Sequence, residues 1–175
     1  TAPTAALDGE APFSTRPELI GTFRMVASSH WLATASGMSI LEKGGNAFDA
    51  AVATTYALQV VEPSMSGVGG EPPMIYCDAK TNNIHVISGQ GTAPASANIK
   101  AYRDIGLEIV PGSGLLPAVV PGAFDGLMKL LRDWGTMTLP EILAPAIGYA
   151  RKGYPMSGRV CANFISFMVV GKCCM

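Results

Sequence analysis

Apolar residues at helical spacing stand out most in the second half of the chain. Phe124, Leu127, Met128, Leu130 and Leu131 fall on one side of a helix over 124–134, with Lys129, Arg132 and Asp133 outside. A further helix is expected from Leu139 to Arg151, with Pro140 tolerated in its first turn and Gly153 beyond its end. Upstream, the pattern predicts a short strand over Met25–Ser29, a helix from about His30 to Lys43, and a second helix from Asn46 to Val61. Glu62-Pro63 ends that second helix, because proline cannot continue it. Met74–Asp78 and Ile84–Gly89 read as the strands of a hairpin around a polar turn. Residues 97–106 are expected to be helical and 111–122 irregular. Residues 1–22 have no periodicity and read as a tail or linker. Helix pairs and a hairpin in this order imply a layered α+β domain.

The first two helices meet at a turn that the residues specify closely. Gly44 and Gly45 follow Lys43 and supply the positive φ that a helix C-terminus favours. Asn46 fits the N-cap of the next helix, with Asp49 three residues on, in capping-box spacing and well placed against the helix dipole. The alanines that follow let this helix approach its neighbours closely.

Composition narrows the function classes. The 175 residues suffice for one domain with a real core. Hydrophobic residues make up 49% and charged residues only 14%, so part of the surface is expected to pack against another polypeptide. The net charge of -1, with no basic cluster, argues against a nucleic-acid partner. Three of the four cysteines, Cys161, Cys173 and Cys174, crowd near the end, two of them adjacent, which argues against a disulfide framework. No stretch reads as a membrane span, and residues 1–10 have no signal-peptide pattern, as would also hold for a mature secreted chain.

Several blocks, in order, resemble the N-terminal half of the large subunit of γ-glutamyltranspeptidases, a branch of the N-terminal-nucleophile hydrolases. They are Met25–His30 with Leu32-Ala33, Ile40–Ala53, Val60–Pro63 and Ser66–Gly70. Thr92–Pro94, Val120–Gly122, Trp134–Leu139, Pro145-Ala146 and Ala150–Pro155 complete the set. The resemblance covers residues 25–156, makes 23–175 a large-subunit portion, and leaves 161–175 outside it. It implies a share of an αββα four-layer sandwich, a heterodimer with a small subunit cut from the same precursor, and a periplasmic or extracellular location. It also implies acyl transfer from an amide such as a γ-glutamyl compound, with no cofactor and no metal. An N-terminal threonine on the small subunit would be the nucleophile, so no catalytic residue is expected in this chain.

The resemblance places a substrate-binding segment at Gln90, Gly91 and Thr92, with a departure. The family sets an arginine where Gln90 stands, to grip the α-carboxylate of the γ-glutamyl group by paired hydrogen bonds. Glutamine is neutral and cannot form that fork, so an acylase acting on another amide is an alternative, as is a non-catalytic scaffold or binding paralogue. Glu71-Pro72-Pro73 also departs from the glycine-rich continuation of the family.

Other candidates read more simply. Thr54-Thr55 looks like a cleavage pair but lies inside a helix. Thr1 begins a segment with no strand to hold it. Ser28, Ser29 and His30 fit helix entry or capping better than a serine–histidine pair. The Gly67–Gly70 loop lacks the Lys-Ser/Thr ending of a P-loop. His85 decorates a hairpin strand without a second metal ligand nearby.

Overall fold

A computed structural model describes residues 19–156, 158 and 160–162. The turn at 43–46 builds its first packing unit. Helix α1 (Trp31–Glu42) ends in a Schellman motif: the Gly45 N–H donates to the Ile40 carbonyl (3.0 Å) and the Gly44 N–H to that of Leu41 (3.1 Å). Gly44 has φ +94°, in the left-handed region that favours glycine. Helix α2 (Ala47–Val61) starts at once, with the expected capping box closed. Asn46 Oδ1 accepts from Phe48 N (2.8 Å) and Asp49 N (3.0 Å), and Asp49 Oδ2 accepts from Asn46 N (2.9 Å). Close approach of the pair depends on Gly37, where a β-carbon would lie 2.1 Å from Thr54 Oγ1.

Asp49 does more than cap. It is wholly buried and accepts four further bonds from the turn at 136–137: Thr136 N to both oxygens (3.0 and 3.2 Å), Thr136 Oγ1 (2.6 Å) and Met137 N (3.3 Å). Asn46 Nδ2 adds a bond to the Trp134 carbonyl (2.7 Å). Burial pushes the Asp49 carboxyl up, but the Thr136 hydroxyl and the N–H groups of Asn46, Thr136 and Met137 outweigh it. The group titrates below its ordinary 3.8.

Strands β1 (Pro73–Asp78) and β2 (Asn83–Ser88) form an antiparallel hairpin with Pro73 opposite Ser88 and Asp78 opposite Asn83. Asp78 fixes the turn by accepting from Lys80 N (3.0 Å) and Thr81 Oγ1 (2.9 Å), and Asn82 takes φ +56°. Ile87, Met74 and Tyr76 face the core, where Tyr76 packs edge-on against Phe48 and Trp134. Ile75, Ile84 and Val86 lie on the other face and are exposed.

A short α3 (Ile99–Asp104), α4 (Ala123–Trp134) and α5 (Leu139–Lys152) complete the order. Leu127 and Leu130 of α4 and Ile142 of α5 join Ile40, Val52 and Ile87 in the main core. A second cluster joins Leu32, Ala33, Ala57 and Val61, covered by Tyr149 and Tyr154. The helices and hairpin expected from the sequence are present, so the chain is mixed helix and strand. Met25–Ser29 is a correction: it is not a strand, since among the described residues β1 and β2 pair only with each other. Residues 19–22 carry no regular structure; the rest of the expected tail lies outside the described residues.

Candidate functional site

Three loops meet beside the start of α4. One follows α2 and leads into β1, one leaves β2, and one enters α4. Backbone bonds join them: Gly89 N to the Pro72 carbonyl (3.1 Å), Val120 N to that of Thr92 (3.0 Å), and Ala123 N to that of Gly70 (3.0 Å). Two glycines make room for this. A β-carbon on Gly91 would lie 1.5 Å from the Val120 carbonyl oxygen, and one on Gly122 would lie 2.2 Å from that of Gly89. No side chain fits either position without moving a backbone.

Gln90, Gly91 and Thr92 sit on the middle loop, with Gln90 and Thr92 exposed and Gly91 half-buried. Gln90 Nε2 donates to Glu71 Oε2 at 2.7 Å. The sequence flagged each of these positions as unusual, but their contact is visible only once the loops are folded together. Next to Glu71 is a cavity of about 130 Å³ whose lining includes Thr55, Gln59, Ser66 and Gly67. Gln59 Nε2 donates to the Gly67 carbonyl there (3.3 Å).

A larger groove of about 740 Å³ runs between residues 24–28 and Ala47, Ala50, Ala51, Thr54, Thr55 and Leu58, so that Thr55 lines both spaces. Arg24 anchors its rim by donating from Nη1 to the carbonyls of Leu41 (2.8 Å) and Gly45 (2.6 Å), where α1 ends. Thr54 and Thr55 belong to α2 in full: their hydroxyls donate one turn back, to Ala50 (2.7 Å) and Ala51 (2.8 Å).

The serine–histidine trio is engaged in helix entry, and the residue at the cap is His30. Its Nδ1 accepts from Leu32 N (3.2 Å). Ser28 Oγ donates to the His30 carbonyl (2.9 Å) and meets Thr34 Oγ1 (2.8 Å), while Ser29 bonds to the Glu62 carboxylate. His85 stacks on Tyr76, with ring centroids 5.2 Å apart. No group of three metal-ligating side chains occurs among the described residues, and no helix among them is long and apolar enough to cross a membrane. Cys77 and Cys161 are free thiols, whereas Thr1, Cys173 and Cys174 lie outside the described residues.

Comparison with known proteins gives this geometry a context. The family model described as gamma-glutamyltranspeptidase matches residues 33–167. A glutathione hydrolase proenzyme of Bacillus subtilis (strain 168) is 41% identical over 151 residues, covering 84% of this chain and 26% of the relative. Among solved structures, gamma-glutamyltranspeptidase from Helicobacter pylori superposes with a TM-score of 0.76 at 32% identity, over 86% of this chain and 44% of that one. Cephalosporin acylase from Bacillus halodurans gives 0.74 at 36% identity, over 86% of this chain and 28% of that one. The chain thus spans about a quarter of the curated relative. On the match over residues 33–167 and these relatives, the chain belongs to the γ-glutamyltranspeptidase family.

Proposed function

We propose that this chain is the large-subunit part of an acyltransferase or amidohydrolase of the γ-glutamyltranspeptidase type. It acts with a small subunit, released from the same precursor, that begins with a threonine. In this reading the threonine hydroxyl attacks an amide carbonyl while its α-amine takes the proton. The α-ammonium passes that proton to the amine leaving group, which departs; water or a second amine then attacks the acyl carbonyl, its proton returning through the α-amine to the threonine oxygen. This chain supplies no group to those bond changes. Its share is one part of an αββα sandwich and one wall of the acyl pocket, at Gln90, Gly91 and Thr92. The assembled protein is assigned outside the cytoplasm, in the periplasm or beyond, by the same family analogy.

The observation that carries the reading is the union of the three loops. Backbone bonds and two glycine contacts hold 70–72, 89–92 and 120–123 together, presenting Gln90 and Thr92 at an exposed polar edge. A substrate wall needs such support, because a group held loosely positions nothing. The proenzyme relative adds weight to a two-part assembly.

The test is expression of the complete coding sequence. The expected result is a second chain beginning with threonine by mass, co-purifying with this one, with amide hydrolysis by the pair and none by residues 1–175 alone. Hydrolysis by the single chain would refute the division of labour. A partner without an N-terminal threonine would favour the scaffold alternative.

A further inference from the structure

The two places where this chain departs from the family pattern in the candidate pocket are in contact. Gln90 stands where the family resemblance implies an arginine, and Glu71 opens the Glu-Pro-Pro run where that resemblance implies a glycine-rich continuation. Nineteen residues apart in sequence, they lie 2.7 Å apart through the Gln90 Nε2–Glu71 Oε2 hydrogen bond. The contact joins a neutral amide on one loop to a carboxylate on the next.

From this contact we infer that Glu71 and Gln90 form a single specificity pair, which selects acyl groups that bear a hydrogen-bond donor and no free carboxylate. The inference rests on the proposed pocket at 90–92. The Gln90 amide spends one N–H on Glu71, and that bond holds the carboxylate against the middle loop. The remaining Glu71 lone pairs and the Gln90 carbonyl oxygen are acceptors. None of the ion pairs among the described residues involves Glu71. An acyl chain ending in an ammonium finds acceptors here, while one ending in a carboxylate meets a like charge. Backbone bonds support this edge, Gly89–Pro72 and Val120–Thr92, on either side of Gln90.

The pair also predicts how reversion behaves. An arginine placed at 90 alone would bond to Glu71, and its charge would be committed before a substrate arrived. Restoring carboxylate recognition therefore requires both changes.

The experiment compares two anilides in the assembled two-subunit enzyme: γ-glutamyl anilide and 4-aminobutanoyl anilide, which differ only by the α-carboxylate. The wild type is expected to favour the aminobutanoyl substrate in kcat/KM by roughly fivefold, the upper size of one unfavourable contact between exposed charges. Glu71→Gln should shrink that ratio by about threefold or more, and Gln90→Arg alone, which neutralises Glu71 but leaves no free cation, should shrink it without reversing it. The double variant Glu71→Gln/Gln90→Arg should reverse it. An identical ratio in wild type and Glu71→Gln, or full reversal by Gln90→Arg alone, would overturn the pairing. Hydrolysis of neither anilide by a processed wild type that cleaves another amide would overturn this inference and leave the proposed function standing, whereas a processed pair that cleaves no amide would sink both.

Discussion

Replacing Asp49 by asparagine keeps the shape of the side chain and removes its charge, at a position with 0% solvent exposure. Its oxygens divide the work: Oδ1 accepts from Thr136 N and Met137 N, while Oδ2 accepts from Asn46 N and Thr136 Oγ1. An NH₂ at the Oδ2 place would face the Asn46 N–H; at the Oδ1 place it would face the Met137 N–H. Either way a half-buried backbone donor loses its acceptor, at a cost of about 1–3 kcal/mol. The surviving bonds lose their charge assistance, which adds about 1 kcal/mol. The expected destabilisation of the 175-residue chain is thus about 2–4 kcal/mol by urea unfolding followed by circular dichroism. The pH dependence has a definite sign. Asp49 titrates lower when folded, so its contribution is complete above the unfolded-state 3.8 and disappears as pH falls through the folded value beneath it. Asp49→Asn should therefore flatten the loss of stability in that acid range. A drop under about 1 kcal/mol with an unchanged acid profile would refute the view that these donors need an anion.

Two backbone positions give sharper tests of the glycine assignments. Gly91→Ala puts a β-carbon where the Val120 carbonyl oxygen lies, so the loops must part; a cost of about 2 kcal/mol or more is expected, with loss of amide hydrolysis in the assembled enzyme. A variant with wild-type stability and activity would contradict the packing. Gly44→Ala meets no atom within 4 Å but must hold φ +94°, so it should cost only about 1 kcal/mol, and Gly44→Asn less, in the same unfolding assay. Equal stabilities for glycine, alanine and asparagine would show that the turn does not use this conformation.

The parts of the fold written in neighbouring residues were legible. The Schellman turn, the Asn46–Asp49 box and the Asp78 hairpin turn each act over a few positions, and each uses residue types that few other local structures favour. What escaped was contact across long separations. Asp49 looks like a capping residue from sequence, yet it spends more acceptors on Thr136 and Met137 than on its own helix. Met25–Ser29 has strand-forming residues, but a strand exists only beside another, and among the described residues this segment has no such neighbour. The candidate pocket was half legible: Gln90 and Glu71 could be noticed one at a time. That they form one bond depended on where the hairpin brought residues 71 and 90.

The bonds between Asp49 and Thr136 also have a topological meaning. They join residues 87 positions apart and so close a single long chain loop, within which lie the hairpin and all three loops of the candidate pocket. Contacts of such separation raise the contact order and slow folding, since the chain must close this neck before the core can reward it. Once closed, the neck is tolerant of length. Doubling the enclosed span costs only about 0.6 kcal/mol in closure entropy. Insertions between α3 and α4, around the exposed Leu115, would therefore enlarge the pocket-bearing region while leaving its anchor at Asp49 intact.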